Sequence, residues 1–194
     1  QRQQSFNRAV WLHIQGVAWQ GETLISLFCY EPAALRWMLQ ALAGAPSASL
    51  MLVTHGRAAA AVASACAELG WPPGGAGNLR LHRLPALTQT DYDHLLWACD
   101  LNCVRGEDSL VRALWARKPF VWQIYPQDDG AHLAKLNAFL DWADAPVEVR
   151  RFHSVWNAAS TALPPTIPSH SHSHSHSHSH PPSGTLATTP ATRS

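Results

Sequence analysis

The sequence has no excess of charge of either sign: its 194 residues carry 14 Lys and Arg against 13 Asp and Glu, a formal charge of +1. A protein that binds nucleic acid in general needs a basic surplus to neutralise phosphates, so that partner is excluded from the leading readings. These residues show no secretory-leader pattern and no apolar run long enough to span a bilayer, and no membrane partner is expected. Its four cysteines, Cys29, Cys66, Cys99 and Cys103, include no CxxC pair. That removes the usual zinc and redox signatures and leaves a reduced, cytoplasmic location as the expectation. There is no GxSxG string, and no cysteine sits in a catalytic signature, so nucleophilic hydrolysis is set aside. Metal binding is not expected either, because Glu107-Asp108 and Asp128-Asp129 are adjacent pairs, and adjacent carboxylates seldom point at one ion.

What is present divides the chain in three. From Pro164 to Ser194 the single charge is Arg193, and the composition of Ser, His, Pro, Thr and Ala cannot bury enough apolar surface to fold. Residues 164–194 are therefore expected to be a disordered tail. Within it His170 to His180 alternates strictly with serine, a tract that binds Zn²⁺ or Ni²⁺ adventitiously or is simply low-complexity sequence. At the other end the first residue is Gln, and Gln1 to Gly21 shows neither a targeting pattern nor a clean period. Residues 1–21 are expected to be a remnant of an N-terminal domain or an inter-domain linker, which leaves 22–163 as the folded domain.

In that region apolar strands and amphipathic helices alternate. Glu22 to Tyr30 reads as a strand, and Leu35, Met38, Leu39 and Leu42 then recur at helical spacing, with Pro32 near the first helical position. Ser49 to Thr54 and the alanine-rich stretch ending at Leu69 repeat the pair, followed by the loop WPPGGAGN. Leu79 to Leu84 with Asp91 to Ala98, Leu101 to Val104 with Ser109 to Ala116, and Pro119 to Ile124 with His132 to Trp142 complete five pairs. A last helix is expected over roughly Val147 to Ala159. Five such pairs predict an α/β, doubly wound parallel sheet, since each parallel crossover needs a helix to return the chain.

Sheets of this kind bind ligands at the carboxyl ends of their strands. The turns there hold the chain's concentrated polarity: Phe28-Cys29-Tyr30, Thr54-His55-Gly56, Pro85 to Gln89, Arg105 to Ser109, and Tyr125 to Asp129. Arg105-Gly106-Glu107-Asp108-Ser109 joins a guanidinium to a glycine turn and a helix start, chemistry suited to a diphosphate. Equally, Asp108 or Ser109 caps the helix while Arg105 and Glu107 form a surface ion pair. Phe28 and Tyr30, two apart on a strand, either sandwich a base or pack in the core. Gln89 and Tyr92 either read a base edge or serve as a loop residue and a packed helix residue.

The strings SLFCYE at 26–31 and DYDHLLWACDLNCVRGEDSLVRALWARKPFVWQIYPQDDGAHLAKLNAFL at 91–140 resemble the C-terminal half of the EarP family, arginine rhamnosyltransferases that modify elongation factor P. The similarity runs from about residue 20 to about residue 160. The resemblance implies one Rossmann-like domain of a two-domain GT-B glycosyltransferase. That enzyme moves L-rhamnose, with inversion, from dTDP-β-L-rhamnose to an arginine of elongation factor P, with no cofactor and no metal. It further implies that Phe28 and Tyr30 form the nucleotide pocket, that Gln89 and Tyr92 contact the thymine region, and that Arg105, Asp108 and Ser109 bind the diphosphate. Glu107 is implied as a supporting catalytic residue. Two positions depart from the family pattern: Ala86 replaces an aromatic, and Gln123 a frequent histidine. The family's N-terminal DNYGDIGV-like motif, which carries the proposed general-base Asp, does not occur in these residues. The chain alone is therefore expected to bind donor weakly and to transfer nothing. The alternative is a non-catalytic remnant that binds a nucleotide or a partner.

Overall fold

The computed structural model describes residues 5–158, so the expected tail and its His-Ser tract lie outside the described residues. In chain order the elements are α1 (Arg8–Ile14), β1 (Thr23–Leu27), α2 (Leu35–Ala43), β2 (Ser49–Val53), α3 (Arg57–Leu69), β3 (Gly75–Ala76) and β4 (Leu79–Arg83). There follow α4 (Gln89–Ala98), β5 (Leu101–Arg105), α5 (Gly106–Ala116), β6 (Phe120–Gln123), α6 (Ala131–Trp142) and α7 (Val147–Trp156). All five expected strand-helix pairs are present. The strands lie in the order β3-β4-β2-β1-β5-β6, parallel throughout except for β3, which runs antiparallel to β4.

The order reverses between β1 and β5, the topological switch point of a doubly wound sheet. Because successive side chains point to opposite faces, β1, β2, β5 and β6 each feed two cores, and β4 feeds one. Ile25, Leu27, Met51, Val53, Leu79, Leu81, Cys103 and Val121 pack under α2, α3 and α7. Leu24, Leu50 and Leu52 pack under α1 and α4 on the other face, and Val104 and Trp122 pack under α5 and α6. Burial of both faces is why β2 reads as an unbroken apolar run. One buried polar link crosses the switch point: Ser26 Oγ donates to Asn102 Oδ1 at 2.5 Å, and Asn102 Nδ2 donates to the Leu96 carbonyl at 3.0 Å.

Several expectations are corrected. The first strand ends at Leu27, not Tyr30, because pairing with β2 stops at Leu27 against Val53 and only Phe28 N–H continues, to the Cys103 carbonyl at 2.9 Å. Pro32 precedes α2 by a turn, and its carbonyl accepts from Leu35 N–H. The fifth helix starts at Gly106 rather than Ser109, so neither Asp108 nor Ser109 is its cap, and Arg105 holds that place. The two-residue β3, inside the loop WPPGGAGN, and α1, where the sequence shows no period, were not expected. Seven residues are too few to display a period, yet Trp11 and Leu12 of α1, with Val17 after it, are buried against Leu24 and Leu95.

The exposed edge of β6 is closed by α7. Trp122 N–H donates to His153 Nε2 at 3.1 Å, Ile124 N–H donates to Asn157 Oδ1 at 2.9 Å, and Asn157 Nδ2 returns to the Trp122 carbonyl at 2.9 Å. Two side chains thus stand in for a further strand, satisfying backbone groups that would otherwise be open to strand addition.

Candidate functional site at the switch point

A cavity of about 770 Å³ opens at the carboxyl ends of β1, β2, β4 and β5. All eight residues singled out in the sequence border it: Phe28, Tyr30, Gln89, Tyr92, Arg105, Glu107, Asp108 and Ser109. The strand order explains the gathering, since the Phe28–Tyr30 loop leaves β1 and the Arg105–Ser109 turn leaves β5, the two strands flanking the switch point. Thr54, His55, Ala86, Thr88 and Arg112 complete much of the wall. Thr54 and His55 carried a signal in their strand-to-helix turn. Arg112, in the middle of a helix, carried none.

The turn into α5 is shaped by one glycine. Gly106 has φ +65°, a left-handed conformation that side chains disfavour, and a Cβ there would meet the Tyr30 hydroxyl at 3.2 Å. Ser109 Oγ accepts from Arg105 N–H at 3.0 Å and also donates to the Arg105 carbonyl, while Trp122 Nε1 donates to the Gly106 carbonyl at 2.8 Å. These bonds fix the start of α5 from both sides. The first-turn N–H groups of such a helix have no intrahelical acceptor and carry the positive end of the dipole, and the residues that bear them, Gly106 to Ser109, line the cavity.

Arg105 is the chemical centre. Its guanidinium lies 4.2 Å from the Phe28 ring centre and 4.7 Å from that of Tyr30, and its Nη1 donates to the Cys29 carbonyl at 2.9 Å. Both aromatics are half-buried, and each carries the Arg105 guanidinium over its face. Arg105 has no carboxylate partner among the described residues. The expected alternative pair with Glu107 is absent, because Glu107 instead takes Lys135 Nζ at 2.7 Å. That bond holds the Glu107 carboxyl below the usual range.

The rest of the wall is held rigidly. Tyr30 N–H donates to Gln123 Oε1 at 2.8 Å, so the glutamine that departs from the family pattern anchors the aromatic loop. The other departure, Ala86, lies on the cavity wall and presents only a methyl group there. Arg57 forks onto Glu31 at 3.1 and 2.7 Å, lowering the Glu31 carboxyl, and its guanidinium also lies 4.9 Å from the Tyr30 ring centre. Thr88 caps α4, accepting from Asp91 N–H at 3.1 Å, which sets Gln89 at the helix start. Tyr92 packs edge-on against Phe28, 5.4 Å between ring centres, and burial pushes its phenol well up, opposed by neighbouring Ser109 and Arg105. Cys29 is buried, which pushes its thiol to about 12, so it offers no nucleophile. Among the described residues no three His, Cys, Asp or Glu side chains stand together as a metal site. No described helix is long and apolar enough to cross a membrane.

A doubly wound sheet of this order, with a basic glycine turn and a helix start at its switch point, defines a Rossmann-like domain. Residues 1–187 match the family described as elongation factor P (EF-P) rhamnosyltransferase EarP, and the chain belongs to that family. A protein-arginine rhamnosyltransferase of Pseudomonas aeruginosa is 48% identical over 147 residues, 71% of this chain and 39% of the relative. Its counterpart from Pseudomonas putida is 47% identical over 126 residues, 62% of this chain and 33% of the relative. The chain thus spans well under half the length of these relatives. A solved structure titled as the basis for EarP-mediated arginine glycosylation of translation elongation factor EF-P aligns with a TM-score of 0.58 at 35% identity. That alignment covers 84% of this chain and 64% of the other.

Proposed function

We propose that this chain is the donor-binding half of a GT-B protein-arginine rhamnosyltransferase, and that its switch-point cavity holds dTDP-β-L-rhamnose. The carrying observation is Arg105: a guanidinium held against two rings with no bonded carboxylate among the described residues, beside a helix start that itself attracts anions. A diphosphate supplies the missing counter-charge, with Asp108 and Ser109 in the same turn. Phe28 and Tyr30 form the nucleotide pocket, and Gln89 and Tyr92, one turn along α4, take the thymine end.

In the transfer itself the dTDP diphosphate leaves as the arginine of elongation factor P attacks the anomeric carbon from the opposite face, which inverts it. Charge builds on the leaving diphosphate, and Arg105 with the α5 amides is arranged to stabilise it without a metal or other cofactor. Glu107 stands at the same turn, its carboxylate kept ionised by Lys135, and supports the reacting centre. A base must also be set against the guanidinium. That Asp belongs to the DNYGDIGV-like motif outside these residues, so the chain alone binds donor and transfers nothing.

Calorimetric titration with dTDP and with UDP tests this reading. Binding of dTDP in preference to UDP, weakened about 100-fold in Arg105→Ala, is expected. A folded chain that binds neither nucleotide contradicts it and favours the non-catalytic remnant. Rhamnosylation of elongation factor P by this chain alone would contradict the division of labour.

A further inference from the structure

We infer that Arg112 is a positioning residue that fixes the spacing between the two halves of the donor cavity; the inference rests on the donor-site reading above. Two helices supply those halves. Gln89 and Tyr92 belong to α4, and Glu107, Asp108 and Ser109 belong to α5. Arg112 lies one turn below Asp108 on α5 and borders the cavity. Its Nη1 donates to Asp93 of α4 at 2.8 Å, and its Nε donates to Asp108 at 3.3 Å.

The pair differs from the other ion pairs of the molecule. Arg112 is only 15% exposed, the least of any arginine in an ion pair here, and it is gripped by carboxylates from two separate elements. A planar fork is needed to hold two carboxylates at fixed directions, which an ammonium cannot do. The carboxylates leave no net positive charge at Arg112 for a ligand, in contrast to Arg105. Its effect on a ligand is therefore geometric, through the distance from the Gln89 end to the Arg105 turn.

A ligand that touches both subsites gains from their correct spacing, because the second contact is made at the effective concentration set by the first. A fragment that touches one subsite gains nothing. The wild-type chain, Arg112→Met, Arg112→Lys and Asp93→Asn are titrated with dTDP, thymidine and inorganic pyrophosphate, using ligand-observed NMR for the weak fragments. Asp93 does not border the cavity, so its variant loosens the link without altering the wall.

In Arg112→Met and Asp93→Asn, dTDP affinity falls by about tenfold while thymidine and pyrophosphate affinities stay within about twofold of wild type. Arg112→Lys falls between. Melting curves establish that each variant is folded, and Asp93→Asn serves if Arg112→Met is not. Unchanged dTDP affinity in a folded variant overturns the inference, as does a loss of pyrophosphate binding as large as that of dTDP. A wild-type chain that binds no dTDP overturns the donor-site reading instead.

Discussion

The two ends of the sheet use the same side chains to opposite effect. At the amino end, Arg80 of β4 grips Glu22, which stands just before β1 and is itself largely buried. Arg8 there reaches Asp100 at 3.0 Å, and the other oxygen of Asp100 accepts from Leu24 N–H at 2.9 Å. Every one of these charges is closed by an opposite charge or a backbone group. At the carboxyl end, Arg105 is held as firmly, but by ring faces and a carbonyl, and among the described residues no carboxylate is bonded to it. The difference separates an arginine closed by carboxylates from one held without a bonded carboxylate among the described residues, and the proposed donor site rests on the second.

Exchanging the roles of the two ends breaks that comparison most directly. Arg105→Ala is expected to weaken dTDP binding by about 100-fold, the scale of losing charge-assisted bonds of about 1.5–3 kcal/mol, with little change in melting temperature. Arg80→Ala is expected to do the reverse. It leaves the dTDP affinity unchanged and destabilises the fold by about 1–2 kcal/mol in urea unfolding, since it strips a partner from a largely buried carboxylate.

Gly106→Ala comes next. A left-handed alanine costs about 1–2 kcal/mol, and its Cβ presses on the Tyr30 hydroxyl, so unfolding and dTDP titrations both register the change. The pH dependence sharpens the contrast from a third side. Burial lowers the pKa of His153, whose neutral Nε2 must accept from Trp122 N–H. The unfolded chain then takes up a proton near pH 6.5 that the folded chain resists. Stability is full above that pH and falls as the pH drops from 6.5 toward the lowered folded value. His82, lowered by burial and then by Arg80, adds in the same direction. Acid unfolding of His153→Gln should show a shallower decline. The smallest effect is Lys135→Ala, an exposed pair whose loss changes stability by under about 0.5 kcal/mol. NMR titration should instead show the Glu107 carboxyl rising toward its ordinary value.

Much of this was legible in the sequence because parallel strands buried on both faces have to read as apolar runs. Ser49–Val53 and Phe120–Gln123 did so, and the strand-to-helix turns then had to hold the residues that line the cavity. Legibility failed where three-dimensional partners decide. Arg105 and Glu107 are two apart and suggested an ion pair, but the α5 start turns them away from each other, toward Phe28 and toward Lys135. Arg112 sits among ordinary helix residues, and its significance appears only when α4 is packed alongside. α1 is too short to show a period, and its burial depends on Leu24 and Leu95, distant in the chain. Gln123, a departure by pattern, proves to be the anchor of Tyr30.

The most direct measurement is a crystal structure of this chain with dTDP. The diphosphate should lie against the Arg105 guanidinium and the first-turn amides of α5, with the thymine toward Gln89 and Tyr92. A diphosphate bound elsewhere, with Arg105 still resting on Phe28, Tyr30 and the Cys29 carbonyl and touching no phosphate oxygen, would contradict the account.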